Sequence, residues 1–264
     1  MIGTNVMPQL YWLWNKRWKA PNGSAIYRTY EKICERWKYL PHCERLGGMF
    51  VIQKNNKTRT WEYPWAFHSV PLKAGMKVLE LGGGLCGFQF ALSKMGMDVT
   101  NVDPGEASEG LGWPVTAVSM ARLNARFGTN VKLCNTTIEA AGIETETISC
   151  VFCLSVMEHI PESEHLQIMN EIYRVLQPGG YLVLTVDLFL DLWPFSDRKS
   201  NEWGTNVSMK QLLDIAPFEL HIGNKDELYG FDEFDHRSVL SRLAQYVIGS
   251  YPALAQGAVF KKKG

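Results

Sequence analysis

VLELGGGLCGFQFAL, residues 78–92, sets an apolar run, three consecutive glycines and a second apolar pattern end to end. The first run reads as a strand buried on both faces, and the second, from Phe88 to Met95, has the spacing of a helix. Gly82, Gly84 and Gly87 satisfy G-x-G-x-x-G. Glycines at such a turn take positive φ without penalty and let backbone come close to a ligand. The stretch therefore predicts a strand, a ligand-facing turn and a helix, and asks which cofactor the turn holds.

The rhythm repeats downstream. KVLEL, DVTNV, NVKLC, SCVFCLSV and YLVLTVDL read as strands, and helical patterns run from Phe88 to Met95, around Val115 to Phe127 and around Ser163 to Leu176. Strand and helix in alternation predict an α/β fold with a Rossmann-like, doubly wound, mostly parallel sheet covered on both faces. QPGG before Tyr181 reads as a helix stop and tight turn. After Asp187 the pattern predicts an irregular insert to about Val207, a helix near Ser208 to Ile215, a strand near Phe218 to Ile222, a helix near Arg237 to Ile248 and a last strand in GAVFKKK. The three lysines near the end read as a solvated tail. Six of the nine tryptophans precede residue 70. AIYRTYEKICERWKYL, within that part, has helical spacing and stops before Pro41. The division expected is an N-terminal helical, Trp-rich lid or extension over 1–70 and a catalytic domain over 71–264.

Charge chooses among cofactors. A dinucleotide brings a doubly negative pyrophosphate to this turn, whereas ELGGGLCG supplies Glu80 and neither Lys nor Arg. The repulsion matters in a site of reduced dielectric. S-adenosylmethionine, with an ammonium, a sulfonium and no phosphate, finds Glu80 attractive. Asp103, ending the second strand about 20 residues on, suits ribose hydroxyls.

E-x-G-x-G-x-x-G followed by an acidic residue ending the next strand resembles the class I S-adenosylmethionine-dependent methyltransferases. SVMEHI after the fourth strand and EIYRVLQPGGYLVLTV leading into the fifth are similar to the small-molecule branch that includes the quinone-biosynthesis methyltransferases. The resemblance covers roughly residues 74–187. It implies a seven-stranded sheet with an antiparallel last strand, and a cofactor lined by Glu80, Gly82, Gly83, Gly84, Asp103, Thr137, Ile138 and Glu139. Gly82 and Gly84 would face the methionine moiety, Asp103 the ribose, and Ile138 or Glu139 the adenine edge. The implied activity moves a methyl group to oxygen or nitrogen of a small-molecule acceptor, leaving S-adenosylhomocysteine. Two other readings stay open: a nicotinamide-dependent oxidoreductase using the formal fingerprint, and a non-catalytic S-adenosylmethionine-binding partner.

For the chemistry, His159 follows the fourth strand at the ligand end and has an ordinary pKa near neutrality, which suits a general base. Asp187 closes the fifth strand and is the second candidate for contact with the acceptor; a loop hydrogen bond is its plain alternative. His68 and Trp65, in EYPWAFHSV, and Trp193 and Trp203, after the fifth strand, are candidate walls for a planar or apolar acceptor, with ordinary packing as the alternative. Cys86, inside the glycine turn, reads as a small filler. Cys150 and Cys153 spell C-x-x-C within a strand, where residues three apart face opposite sides, so no metal site is expected there.

Lys plus Arg and Asp plus Glu number 27 each, so no global field draws a nucleic acid or an acidic membrane. No apolar stretch reaches the roughly 20 residues of a spanning helix, and no signal-peptide pattern opens the chain. The expected partner is a small molecule, with no nucleic acid and no membrane. The expected compartment is the cytoplasm, because the six cysteines form no extracellular framework.

Overall fold

The structure is a computed structural model of the 264-residue chain, described here over residues 1–20, 48–50, 52, 55–105 and 115–264. The helical pattern expected within 25–40 lies outside those residues.

Seven strands form one sheet: β1 (Lys77–Leu81), β2 (Asp98–Val102), β3 (Lys132–Cys134), β4 (Ile148–Leu154), β5 (Leu176–Phe189), β6 (Phe218–Ile222) and β7 (Ala253–Lys262), in the order β3-β2-β1-β4-β5-β7-β6. β1 to β5 pair in parallel, and β7 runs antiparallel to both β5 and β6. The helices are α1 (Gln9–Trp18), α2 (Arg59–His68), α3 (Gly87–Lys94), α4 (Ala117–Phe127), α5 (Glu162–Val175), α6 (Met209–Ile215) and α7 (His236–Ser241). β1 has β2 on one side and β4 on the other, so the connections leave it in opposite directions. Sheets of this kind bind ligands at the carboxyl ends of the strands where the order reverses, here β1 and β4.

Core side chains alternate along the strands. Cys150 and Phe152 join the cluster that holds Trp61, Trp65 and Phe88, while Val151 and Cys153 join the one that holds Met169 and Ile172. The C-x-x-C pair is thus split across the sheet, and burial raises both thiol pKa values.

The N-terminal part is built into this core. Met1 to Gly3 run beside β7, with Gly3 N–H donating to Ala255 O at 2.9 Å and Gly257 N–H to Met1 O at 2.7 Å. α1 docks on α2 for a local reason. Pro64 stands inside α2 and has no N–H for the carbonyl of Thr60, four residues earlier. The buried Asn15 of α1 supplies the missing donor, its Nδ2 lying 2.8 Å from Thr60 O.

Three expectations are corrected. QPGG lies within β5, which pairs Leu176 with Ile148 and then Tyr181 with Cys150, so the turn is a bulge inside a strand rather than a connection. The pattern over 237–248 breaks into α7 and a single turn at Leu243–Gln245, with Ile248 already bridged to Leu254. The terminal lysines are not all solvated: the Lys262 ammonium is buried and donates to Tyr173 O and Leu176 O, carbonyls at the end of α5, at 3.0 and 2.8 Å.

Candidate functional site

Two polar clusters meet the sheet at its carboxyl edge. The first is built on β1 and β2. Gly82 has φ +64°, and a Cβ there would stand 2.8 Å from the Val156 side chain, so only glycine fits. Asn101, paired with Glu80 across the ladder, accepts from Gly83 N–H at 3.2 Å and donates to Gly84 O at 3.0 Å, fixing the turn. Asp103 accepts from Gly84 N–H and Gly105 N–H, both at 2.7 Å. Each carboxylate oxygen has a second acceptor site, so two remain for a ligand's hydroxyls.

Glu80 is only 2% exposed. Its Oε1 accepts from the Cys86 thiol at 3.1 Å, and its Oε2 has no partner. Burial, with the charge of Asp103 added, pushes its carboxyl up to about 8. A buried carboxyl with an orphaned oxygen is costly unless something positive comes to it. Cys86 is therefore more than a filler: its thiol partners the one Glu80 oxygen that is bonded. Beside it, Asn135 Nδ2 donates to Asp103 O at 2.8 Å and leads into the turn at 137–140. Ile138 is buried in the core there, Glu139 is half-buried and Thr137 exposed.

The second cluster lies past β4 and β5. Arg59 and Glu62, at the start of α2, form an ion pair. Arg59 also donates to Ser155 Oγ, and Glu62 Oε1 accepts from Ser155 Oγ at 2.9 Å and Thr185 Oγ1 at 2.8 Å. Ser155 is held at φ +50°, an uncommon value outside glycine. Glu158, in the single turn Met157–His159, accepts from Asp187 N–H at 2.8 Å. Asp187 Oδ2 accepts from the Tyr251 hydroxyl at 2.6 Å. Glu158 Oε2 and Asp187 Oδ1 have no partner, and both residues are buried. Burial raises both pKa values, that of Asp187 to about 6 against the opposing charge of Arg59; Glu158 is raised further by the charge of Asp187.

His159 points elsewhere. Its Nδ1 meets the Trp203 carbonyl, so Nδ1 carries the proton and Nε2 keeps the lone pair. Burial holds the ring's pKa below its ordinary value. The chain at Gly204 presses onto this turn so closely that a Cβ there would lie 1.9 Å from Glu158 O. Trp203 stacks on Tyr251 with centroids 4.9 Å apart, and Trp193 stands 58% exposed in the same insert.

The two remaining aromatic candidates lie apart from these groups. Trp65 is a core residue, stacked on Trp61 at 5.1 Å and pressed against Gly257. His68 ends α2 about 14 Å along the axis from Arg59 and lies parallel to the Tyr11 ring. What the sequence reading missed is the start of α2. Arg59 and Glu62 stand three residues apart on one helical face, a pattern that ordinary surface pairs share. Tyr251 and Thr185 carried no signal of their own.

Among known proteins, residues 79–184 match the methyltransferase domain family. The ubiquinone biosynthesis O-methyltransferase of Pseudomonas putida strain F1 is 32% identical over 157 residues, 59% of this chain and 60% of that protein. Its counterpart in Pseudomonas entomophila strain L48 is 32% identical over 117 residues, 44% of this chain and 46% of that one. The chain thus spans about half the length of the curated relatives it matches. Among solved structures, Haemonchus contortus phosphoethanolamine N-methyltransferase 2, in complex with S-adenosyl-L-methionine, superimposes with a TM-score of 0.53 at 18% identity, over 89% of this chain and 60% of that one. The cyclase SpnF gives 0.57 at 14% identity, over 92% and 97%. The fold is the Rossmann-like one of the class I methyltransferases.

Proposed function

We propose, from the premise that residues 79–184 are a methyltransferase domain, that this protein transfers a methyl group from S-adenosylmethionine to oxygen or nitrogen of a small-molecule acceptor. The observation that carries the reading is the buried, half-partnered Glu80 beside the glycine turn. Its free oxygen fits the cationic methionine end of that cofactor, which would stabilise the ionised carboxyl, whereas a diphosphate would offer this buried group nothing positive and oppose its ionisation, which disfavours the nicotinamide alternative. Asp103 would take the ribose hydroxyls, and the turn at Thr137, Ile138 and Glu139 the adenine side. When bound, the cofactor supplies a methyl carbon already activated by its sulfonium, so the protein's work is largely to orient the acceptor.

Asp187, at the end of β5, and His159, whose Nε2 keeps its lone pair, would be the groups that receive the acceptor's proton. Trp193 and Trp203 form the acceptor's aromatic wall. The start of α2 brings Arg59 and Glu62 to the same edge, which supports the N-terminal part as a cover over the acceptor. The four described cysteines, Cys86, Cys134, Cys150 and Cys153, are free thiols, which supports a reducing compartment such as the cytoplasm.

SpnF, named for a cyclisation, has the same fold, so fold alone does not choose the reaction. Incubating the protein and a metabolite extract with heavy-methyl S-adenosylmethionine, followed by mass spectrometry, tests the choice. A heavy-methylated product that depends on the protein is expected. Cofactor binding with no labelled product from any extract would favour the non-catalytic reading.

A further inference from the structure

We propose that the outward face of α1 docks onto an anionic lipid surface. Val6, Leu10, Trp12 and Leu13 are 84%, 52%, 50% and 48% exposed. Among the described residues, the other large exposed apolar side chains are dispersed along the chain, at Val118, Leu166, Trp193, Trp203 and Leu240. α1 is turned this way by its own contacts. Trp14 and Asn15 face the protein, and Asn15 is committed to the carbonyl left open by Pro64, which fixes the helix's rotation. Leu10, Trp12 and Leu13 therefore stay outward on a rigid support.

Charge indicates what covers the face. Residues 1–20 contain Lys16, Arg17 and Lys19 and no acidic residue, although the whole chain is neutral. Lys16 and Arg17 lie on the same outward arc as the apolar side chains, with the Lys16 ammonium 5.0 Å from the Trp12 ring. Arg17 and Lys19 share the wall of a surface cleft with Arg126 of α4, which extends the positive flank. Tryptophan and leucine interleaved with lysine and arginine make an interfacial helix, apolar groups entering the headgroup boundary and cations meeting anionic lipid. Leu10, Leu13 and Val6 have no ring to stack on a base, which favours lipid over a nucleic acid. No described helix is long and apolar enough to cross a membrane, so the contact is with the surface. The expectation of no membrane partner rested on total charge and on spanning length, and neither measures a local patch.

Co-sedimentation of the whole protein with phosphatidylcholine vesicles containing phosphatidylglycerol, against phosphatidylcholine alone, tests this. Binding to the anionic vesicles is expected. It should be about 100-fold weaker on neutral ones, at roughly fivefold for each of three basic side chains. Trp12→Ser with Leu13→Ser should weaken binding by about tenfold or more while the melting temperature stays that of the parent. Lys16→Ser with Arg17→Ser should erase most of the preference for anionic lipid. Absence of vesicle binding, equal binding to both vesicle types, binding untouched by either variant, or a dimer that the Trp12→Ser and Leu13→Ser variant dissociates would each overturn the proposal.

Discussion

Glu80 sits where a carboxyl is least comfortable and most useful. Its pKa, raised to about 8 by burial and by Asp103, lies above the value of about 4.3 in an unfolded chain. The folded state thus holds a proton that the unfolded state releases, and stability falls as pH rises from about 4.5 to about 8. Glu80→Gln should remove that slope. Compared with the parent, the variant should gain on the order of 3 kcal/mol between pH 4.5 and pH 8, read by urea denaturation; parallel pH curves would contradict the assignment. The same substitution should weaken the binding of S-adenosylmethionine. Asp103, held by two backbone donors at 2.7 Å, should cost about 1 to 3 kcal/mol of that binding when changed to alanine. Unchanged affinity on calorimetry would remove its proposed ribose contact. At this scale the sequence was partly legible. Glu80 and Asp103 are marked by the glycines between them, whereas the Cys86 thiol on Glu80 depends on a fold of the turn that no spacing reveals.

The start of α2 ties the N-terminal part to the sheet through one buried ion pair. Glu62 accepts from Arg59, Ser155 and Thr185 together. Glu62→Ala should cost about 3 to 5 kcal/mol, because it strands the guanidinium among buried groups. Replacing both partners, Arg59→Met with Glu62→Leu, should cost clearly less in the same denaturation experiment. A single variant within 1 kcal/mol of the parent would mean that the pair is solvated. Elements repeat the lesson about legibility. β1, β2, β4 and α5 announce themselves because burial on both faces or one face imposes a period. α7 came out shorter than its pattern, and QPGG became a bulge, because the partner strand decides such features. Arg59 and Glu62 stayed unread because their partners Ser155 and Thr185 lie about 90 and 120 residues away, and such pairings leave no local trace.

Across the whole molecule, the carboxyl edge of the sheet carries orphaned acids at Glu80, Glu158 and Asp187. The two ends are suited to different partners, a cationic donor at one and a proton-releasing acceptor at the other. The mostly parallel, doubly wound character of the sheet was legible because strand and helix alternate, while the antiparallel last strand came only with the resemblance. The joining of Met1 to Gly3 onto β7 was not legible, since a short bridge between chain ends has no periodicity. The central claim is that the glycine turn selects a cation over a diphosphate, and calorimetry of the ligand-free protein at pH 7, with S-adenosylmethionine and NAD titrated in buffers of different ionisation enthalpy, tests it most directly. The account predicts that S-adenosylmethionine binds with release of nearly one proton, as Glu80 ionises against it, and that NAD gives no heat of binding. Binding of NAD in place of S-adenosylmethionine would contradict it.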